Sequence, residues 1–199
     1  MRKTARRSMA ETTPKKKRLV ESASRLFHRQ GVEKTTLANV ADDAQVALGN
    51  VYYYFKAKDD LVAAVADKRA GGIEDLIARL DTRHDPHERL QGLVQAWVDD
   101  RFLDALYGCP VGSLCFELAR ARGPLSENAA RPFKALLGWC EAQFRQLGAG
   151  DDADCQALHL VSALQGVSLT AAVFGDPELI EKEAKFIGHW LRSLQVHEV

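Results

Sequence analysis

Apolar residues recur with a helical period along almost the whole chain, and no stretch sustains the alternation of a strand. Leu19, Ala23, Leu26 and Phe27 follow the i, i+4, i+7, i+8 pattern of a first helix that Pro14 opens and Gly31 stops. Thr35 or Thr36 caps a second, whose inward positions are Leu37, Val40, Ala41 and Ala44. A third runs from about Ala47 to Tyr54 and is too short to persist except against its neighbours. A fourth spans Asp59 to Asp81, with Asp59 and Asp60 in its first turn, where acidic groups suit the helix dipole. Further helices are predicted over 86–106, 110–122, 126–148, 152–174 and 177–195. The fold class is therefore all-α: an N-terminal three-helix bundle with a helix-turn-helix, then a larger helical domain.

Two features of this pattern go beyond fold class. Gly71 and Gly72 fall inside the fourth helix, where each costs about 1 kcal/mol relative to Ala. They mark a hinge, a close packing contact or the end of a helix. Near the C-terminus, residues 157–174 are small or apolar nearly all round, so that helix must be covered on more than one side. Gly175-Asp176-Pro177 then ends it and starts the next helix, with Leu179, Ile180, Ala184, Ile187, Trp190, Leu191 and Leu194 as a wide apolar stripe. A four-helix bundle with a second copy follows, through Leu158, Val161, Leu164, Gln165, Gly166, Leu169, Ile187, Trp190, Leu191 and Leu194.

Composition narrows the class. The chain has 199 residues, of which 46% are hydrophobic and 27% charged, enough to bury one ordinary core and a small satellite. No uninterrupted apolar run reaches the roughly 18 residues of a membrane span, and the N-terminus lacks a signal-peptide core. A cytoplasmic protein with no membrane partner is expected. Four cysteines without ligand spacing read as reduced thiols. The formal net charge of +0 hides a division: residues 1–69 hold 15 basic against 8 acidic side chains, the remainder 12 against 19. A basic head on an acidic body fits a small module docked on a polyanion.

The chemistry concentrates between Gly31 and Leu61, where two short helices flank a tight turn, as in modules that place one helix in the DNA major groove. Gly31, Thr35-Thr36, Val40-Ala41 and the run Gly49-Asn50-Val51-Tyr52-Tyr53-Tyr54-Phe55-Lys56-Ala57-Lys58-Asp59-Asp60-Leu61 resemble the DNA-binding signature of the TetR family of bacterial transcriptional regulators. The resemblance covers about residues 14–62 and implies a homodimeric, all-helical repressor that leaves its operator when a small molecule binds the body. On that plan, residues 1–13 are a disordered basic arm, 14–58 bind double-stranded operator DNA, and 59–199 bind ligand and dimerise.

The candidate DNA contacts are Thr35, Thr36, Ala47, Leu48, Gly49, Asn50, Tyr52, Tyr53, Tyr54 and Lys58. Thr36 offers a hydroxyl to phosphate, Gly49 lets the backbone approach, Asn50 reads a base edge or phosphate, and Leu48 meets a thymine methyl. By the family pattern Tyr52 and Tyr54 touch the backbone, Tyr53 lies nearer the bases, Phe55 is core and Lys58 grips a phosphate. The chain departs from that pattern at the turn, usually Ala-Gly-Val-Ser or Thr and here Ala44-Gln45-Val46-Ala47. Ala47 offers no capping hydroxyl, a loss of about 1 kcal/mol, and Gln45 takes a turn position that glycine fills more easily. Arg2, Lys3, Arg6 and Arg7 are placed to extend contact along the backbone or into a minor groove.

In the body, Trp97, Phe102, Tyr107, Cys109, Phe116, Trp139 and Phe174 are the candidates to line a cavity, although aromatics at helical spacing also build plain core. The segment Gly108 to Cys115 resembles one in TetR-family members related to electrophile-sensing and drug-responsive repressors. A Cys109 thiol at a helix start is expected to have a lowered pKa, which makes a thiol-based sensor an alternative. Cys155 and His159 lack a third ligand nearby, so no metal or other cofactor is expected. No nucleophile-base arrangement or nucleotide-binding glycine loop points to an enzyme. A helical adaptor is the remaining class, but it would not need the basic head.

Overall fold

The computed structural model of the chain describes residues 14–194, apart from the side chain of Asn128; the basic arm with Arg2, Lys3, Arg6 and Arg7 lies outside the described residues. Described secondary structure is helical throughout, in two compact units that divide between Val65 and Ala66. The first contains α1 (Pro14–Lys34), α2 (Leu37–Asp43), α3 (Leu48–Tyr54) and the opening turns of α4 (Lys58–Asp81). Its core is Leu19, Ala23 and Phe27 from α1, Val40 and Ala41 from α2, Val51 from α3, and Leu61, Val62 and Val65 from α4. The two seven-residue helices α2 and α3 are held because each contributes at least one side chain to that shared core.

Gly31 breaks α1 with φ 84° and ψ 162°, a conformation open to glycine, before one more turn to Lys34. The α2 start is then fixed by Thr36 and Asn39 in a reciprocal cap. Asn39 N–H donates to Thr36 Oγ1 (3.1 Å), while Thr36 N–H donates back to Asn39 Oδ1 (3.0 Å). At the other end of α2, Asp43 Oδ2 accepts from Ser22 Oγ (2.6 Å) and Arg25 Nη2 (2.7 Å), tying α2 to α1. The Ser22 hydrogen bond first, and Arg25 second, hold the Asp43 carboxyl below the usual carboxylate range.

The second unit contains the rest of α4 and α5 (Pro86–Asp99), α6 (Arg101–Tyr107), α7 (Pro110–Ala121), α8 (Ser126–Ala129), α9 (Arg131–Gln146), α10 (Ala153–Phe174) and α11 (Glu178–Ser193). Its core joins Leu90, Leu93 and Trp97 to Leu136, Cys140, Phe144, Leu160, Leu164, Ile180, Ile187 and Leu191. α10 packs on α6, α9 and α11, and α11 packs on α5.

Two helices expected to be continuous are broken. The 86–106 stretch divides at Asp100 (φ −91°, ψ 1°), where Arg101 Nη1 donates to the Val98 carbonyl (2.8 Å) that the break exposes. The 126–148 stretch divides between α8 and α9 because Pro132, with no N–H to donate, fits the first turn of a new helix and not the interior of a continuing one. Among the described residues, Arg101–Ala121 and Gly150–Phe174 reach mean hydropathies of 1.2 and 1.6, enough in length and composition for a membrane span. The first is not one helix, since Gly108 at φ 74° interrupts it; the second sends Leu160, Leu164, Ser168 and Ala171 into the body's core.

Candidate functional site

The tight turn between α2 and α3 is made by Gln45 at φ 52°, one of two non-glycine described residues with positive φ. The strain expected of that substitution is therefore present in the backbone. Val46 is buried beneath the turn, and Ala47 starts α3 with no side-chain cap. Because Val51 and Phe55 anchor α3 to the core, its opposite face projects outward. Leu48, Gly49, Tyr52 and Tyr53 lie on it, with Tyr53 72% exposed and its ring edge-to-face with Tyr54 at 5.0 Å. That face combines an exposed leucine with phenol hydroxyls, within a unit carrying Lys15, Lys16, Lys17 and Arg18 on α1.

Several candidate contacts are placed differently from expectation. Thr35 is only 1% exposed, and its hydroxyl donates to the Gly31 carbonyl (2.8 Å), so it stabilises the α1–α2 turn from inside. Thr36 is exposed, but its hydroxyl hydrogen points to Asn39 Oδ1 (2.8 Å). Lys58 Nζ donates to the Glu33 carbonyl (3.1 Å), linking the α4 start to the end of α1. Asp60 Oδ2 accepts from the Lys56 and Ala57 N–H groups (2.9 and 3.0 Å) and so fixes the loop that carries Lys58. Asn39 and Asp43 were not among the sequence candidates. The Thr-x-x-Asn spacing could have signalled Asn39, whereas the Asp43 link to Ser22 and Arg25 exists only once α1 and α2 are packed.

In the second unit a cavity of about 300 Å³ opens between α4, α5, α6 and the start of α7. Ile73, Trp97, Asp104 and Cys109 form its buried wall, and Arg69 reaches in from α4. Asp104 Oδ2 accepts from Ser168 Oγ on α10 (2.5 Å). Burial raises the Asp104 carboxyl pKa, against the opposing effect of that hydrogen bond, and burial lowers that of Arg69.

The N-terminal region carries the family resemblance in its own residues. Residues 19–65 match the family profile for bacterial regulatory proteins of the tetR family. Over that segment the chain is similar to the TetR family. The chain is 33% identical over 85 residues to the transcriptional regulator TtgR of Pseudomonas putida, 43% of this chain and 34% of that protein. The repressor KstR2 of Mycobacterium tuberculosis is 34% identical over 82 residues, 39% of this chain and 40% of its own. The chain thus spans about a third of the length of the first relatives it matches. A solved TetR-family regulator from Streptomyces coelicolor, 22% identical, superposes over 92% of this chain and 96% of that one with a TM-score of 0.78, which extends the shared fold to the body.

The cavity gathers only part of the expected lining. Trp97 and Cys109 lie on it. Trp139 instead donates its indole N–H to Asp81 Oδ1 (2.8 Å), and Tyr107, half-buried, is not on the cavity wall. Phe102, Phe116 and Phe174 project outward, the last two 66% and 73% exposed, because their helices turn other faces to the core. The sequence signal missed Arg69 and Asp104, which are charged and so looked like surface positions. The Cys109 expectation is reversed: burial raises its thiol pKa, although Gly112 N–H donates to the sulfur (3.4 Å). Cys115 is also pushed up by burial, to about 11, and Cys140 to about 12. The proposed contact stripe is corrected too. Val161, Leu164, Ile187 and Leu191 are buried in their own chain's core, whereas Leu158, Gly166 and Leu169 face outward from α10.

Proposed function

We propose that the chain is a DNA-binding transcriptional repressor, acting as a homodimer and released from its operator by a small molecule held in the cavity of the second unit. The observation that carries the reading is the outward α3 face, where Leu48, Tyr52 and Tyr53 are exposed beside a turn built on Gln45. Large apolar and aromatic groups exposed on a seven-residue helix have no role in this unit's own core and suit the edges and phosphates of a major groove. The names of TtgR and KstR2, a regulator and a repressor, support the same class.

The dimer rests on the outward side of α10 and α11. Leu158, Leu169, Val173 and Phe186 are exposed there, and among the described residues a Cβ added at the exposed Gly166 would meet nothing within 4 Å beyond its own helix backbone. A surface that is apolar and flat at one glycine suits close approach of a second copy of the same helices. Dimerisation would set two α3 helices about 34–36 Å apart, one turn of DNA, or a multiple of it. Ligand in the cavity, whose wall includes α4, would alter that spacing and lower affinity without changing any contact to the bases.

Gel retardation with DNA flanking the protein's own gene tests the core of this reading. The wild-type protein is expected to retard a palindromic fragment with a steep loss of affinity on raising salt. Failure to retain that or any genomic fragment would overturn it in favour of a helical adaptor.

A further inference from the structure

The cavity wall in the second unit is chemically uneven. Its buried floor presents Trp97, with Ile73 and the half-buried Leu76 and Val111 around it. Cationic groups come from one helix: Lys68, Arg69 and Arg79 all line the cavity from α4. Asp100 and Asp104 line it as well, and Asp100 acts electrostatically on Arg69. Asp104 is 2% exposed, and its Oδ2 accepts from the Ser168 hydroxyl of α10. Burial shifts it toward its neutral form, with Asp100 pushing the same way. Three cationic side chains thus line the cavity beside two carboxyl groups.

Resting on the reading of this cavity as the effector site, we infer that it takes a small organic carboxylate with a flat apolar body, the carboxylate on Arg69 and the body against Trp97. A guanidinium in a partly buried wall is the group best suited to a planar carboxylate, because its fork matches both oxygens and it sheds water more readily than an ammonium. The apolar floor excludes a strongly hydrated dianion, whose desolvation an arginine pair at the rim would not offset. A volume of about 300 Å³ is at the small end for ligand sites and suits a one- or two-ring acid.

The probes are benzoate and 2-naphthoate, each beside its amide and its aminomethyl counterpart, added to the full chain in thermal unfolding and in operator retardation. The acids are expected to raise the midpoint of unfolding and weaken operator retention about tenfold or more, with the amides and amines inert. Arg69→Met should abolish the response and Arg69→Lys retain part of it; Arg79→Met, at the exposed rim, is a second variant should Arg69→Met fail to fold. Stabilisation by the amines, abolished by Asp104→Asn, would overturn the inference and make this a cation site. Equal response to acids and amides, or response to none of the probes, would overturn it as well. Acid binding that leaves operator retention unchanged would keep the ligand class and remove the effector role. Retention by the unliganded protein tests the DNA reading separately.

Discussion

In the unit that ends at Val65 the exposed large side chains Leu48, Tyr52 and Tyr53 share one seven-residue helix, whereas in the unit beyond it Phe102, Phe116, Leu158, Leu169, Phe174 and Phe186 are exposed on four helices. The first arrangement is local. A capped α2, a left-handed residue in the turn and two buried anchors on α3 suffice to aim that face. The second arrangement is collective, since α10 is apolar on every side and its outward face is whichever side α6, α9 and α11 leave uncovered. An outward face on one helix can therefore be built from adjacent residues, while a cavity needs helices far apart in the chain.

The sharpest way to break this comparison lies on α10. Leu164 is buried and Leu169 exposed, although both are leucines on one helix. Leu164→Ala should lower stability by about 2–5 kcal/mol in urea unfolding, from lost burial plus the cavity it leaves. Leu169→Lys should leave the monomer's fold intact and shift sedimentation toward the monomer. Comparable losses of fold stability from both would erase the distinction between core and contact face.

In the head, Tyr53→Ala should weaken operator retention by about tenfold or more while changing the unfolding free energy by less than about 0.5 kcal/mol, because the side chain is outside the core. An equal fall in stability would place Tyr53 with the body's structural aromatics. A smaller effect concerns α4. Among the described residues nothing beyond the helix's own backbone stands within 4 Å of a Cβ added at Gly71 or Gly72, so packing against another described segment does not require glycine there. Replacing both by Ala should raise the helix's stability by up to about 2 kcal/mol, and loss of ligand response without loss of operator binding would identify a hinge.

The smallest expected effects come from caps and charges. Ala47→Ser should stabilise the head by about 0.5–1 kcal/mol in thermal unfolding, since α3 starts without a side-chain cap. Asp43 has a lowered folded pKa, so its contribution is present above the unfolded carboxylate value of about 4 and disappears as pH falls through the lower folded value. The Arg25–Asp43 pair is part-exposed, so Asp43→Asn should remove less than about 1 kcal/mol at neutral pH and flatten acid unfolding.

Legibility followed the range of the interaction. Thr36, Gln45 and Ala47 could be assigned turn or cap roles because a cap or turn acts over three or four residues. The same local reasoning placed Thr35 beside Thr36 as a contact, but only packing of the α1–α2 turn decides that one hydroxyl points inward. In the body, aromatic residues suggested a cavity, yet Arg69 and Asp104 line it and three of the phenylalanines do not. Periodicity marks which positions are apolar, not which of several apolar faces meets another helix. For Cys109 the neighbouring amides implied an acidic thiol, and burial by segments distant in sequence outweighed them.

The sequence by itself determined the all-helical class, the helix-turn-helix and its departure at Ala44-Gln45-Val46-Ala47, because each is encoded in the periodicity, caps and turn residues of neighbouring positions. Only the tertiary structure decided that Leu164 is core and Leu169 surface, that the Cys109 thiol is raised, and that Arg69 and Asp104 line one cavity. Those outcomes depend on which faces of distant helices exclude water from one another, and burial of that kind is a property of the packed chain.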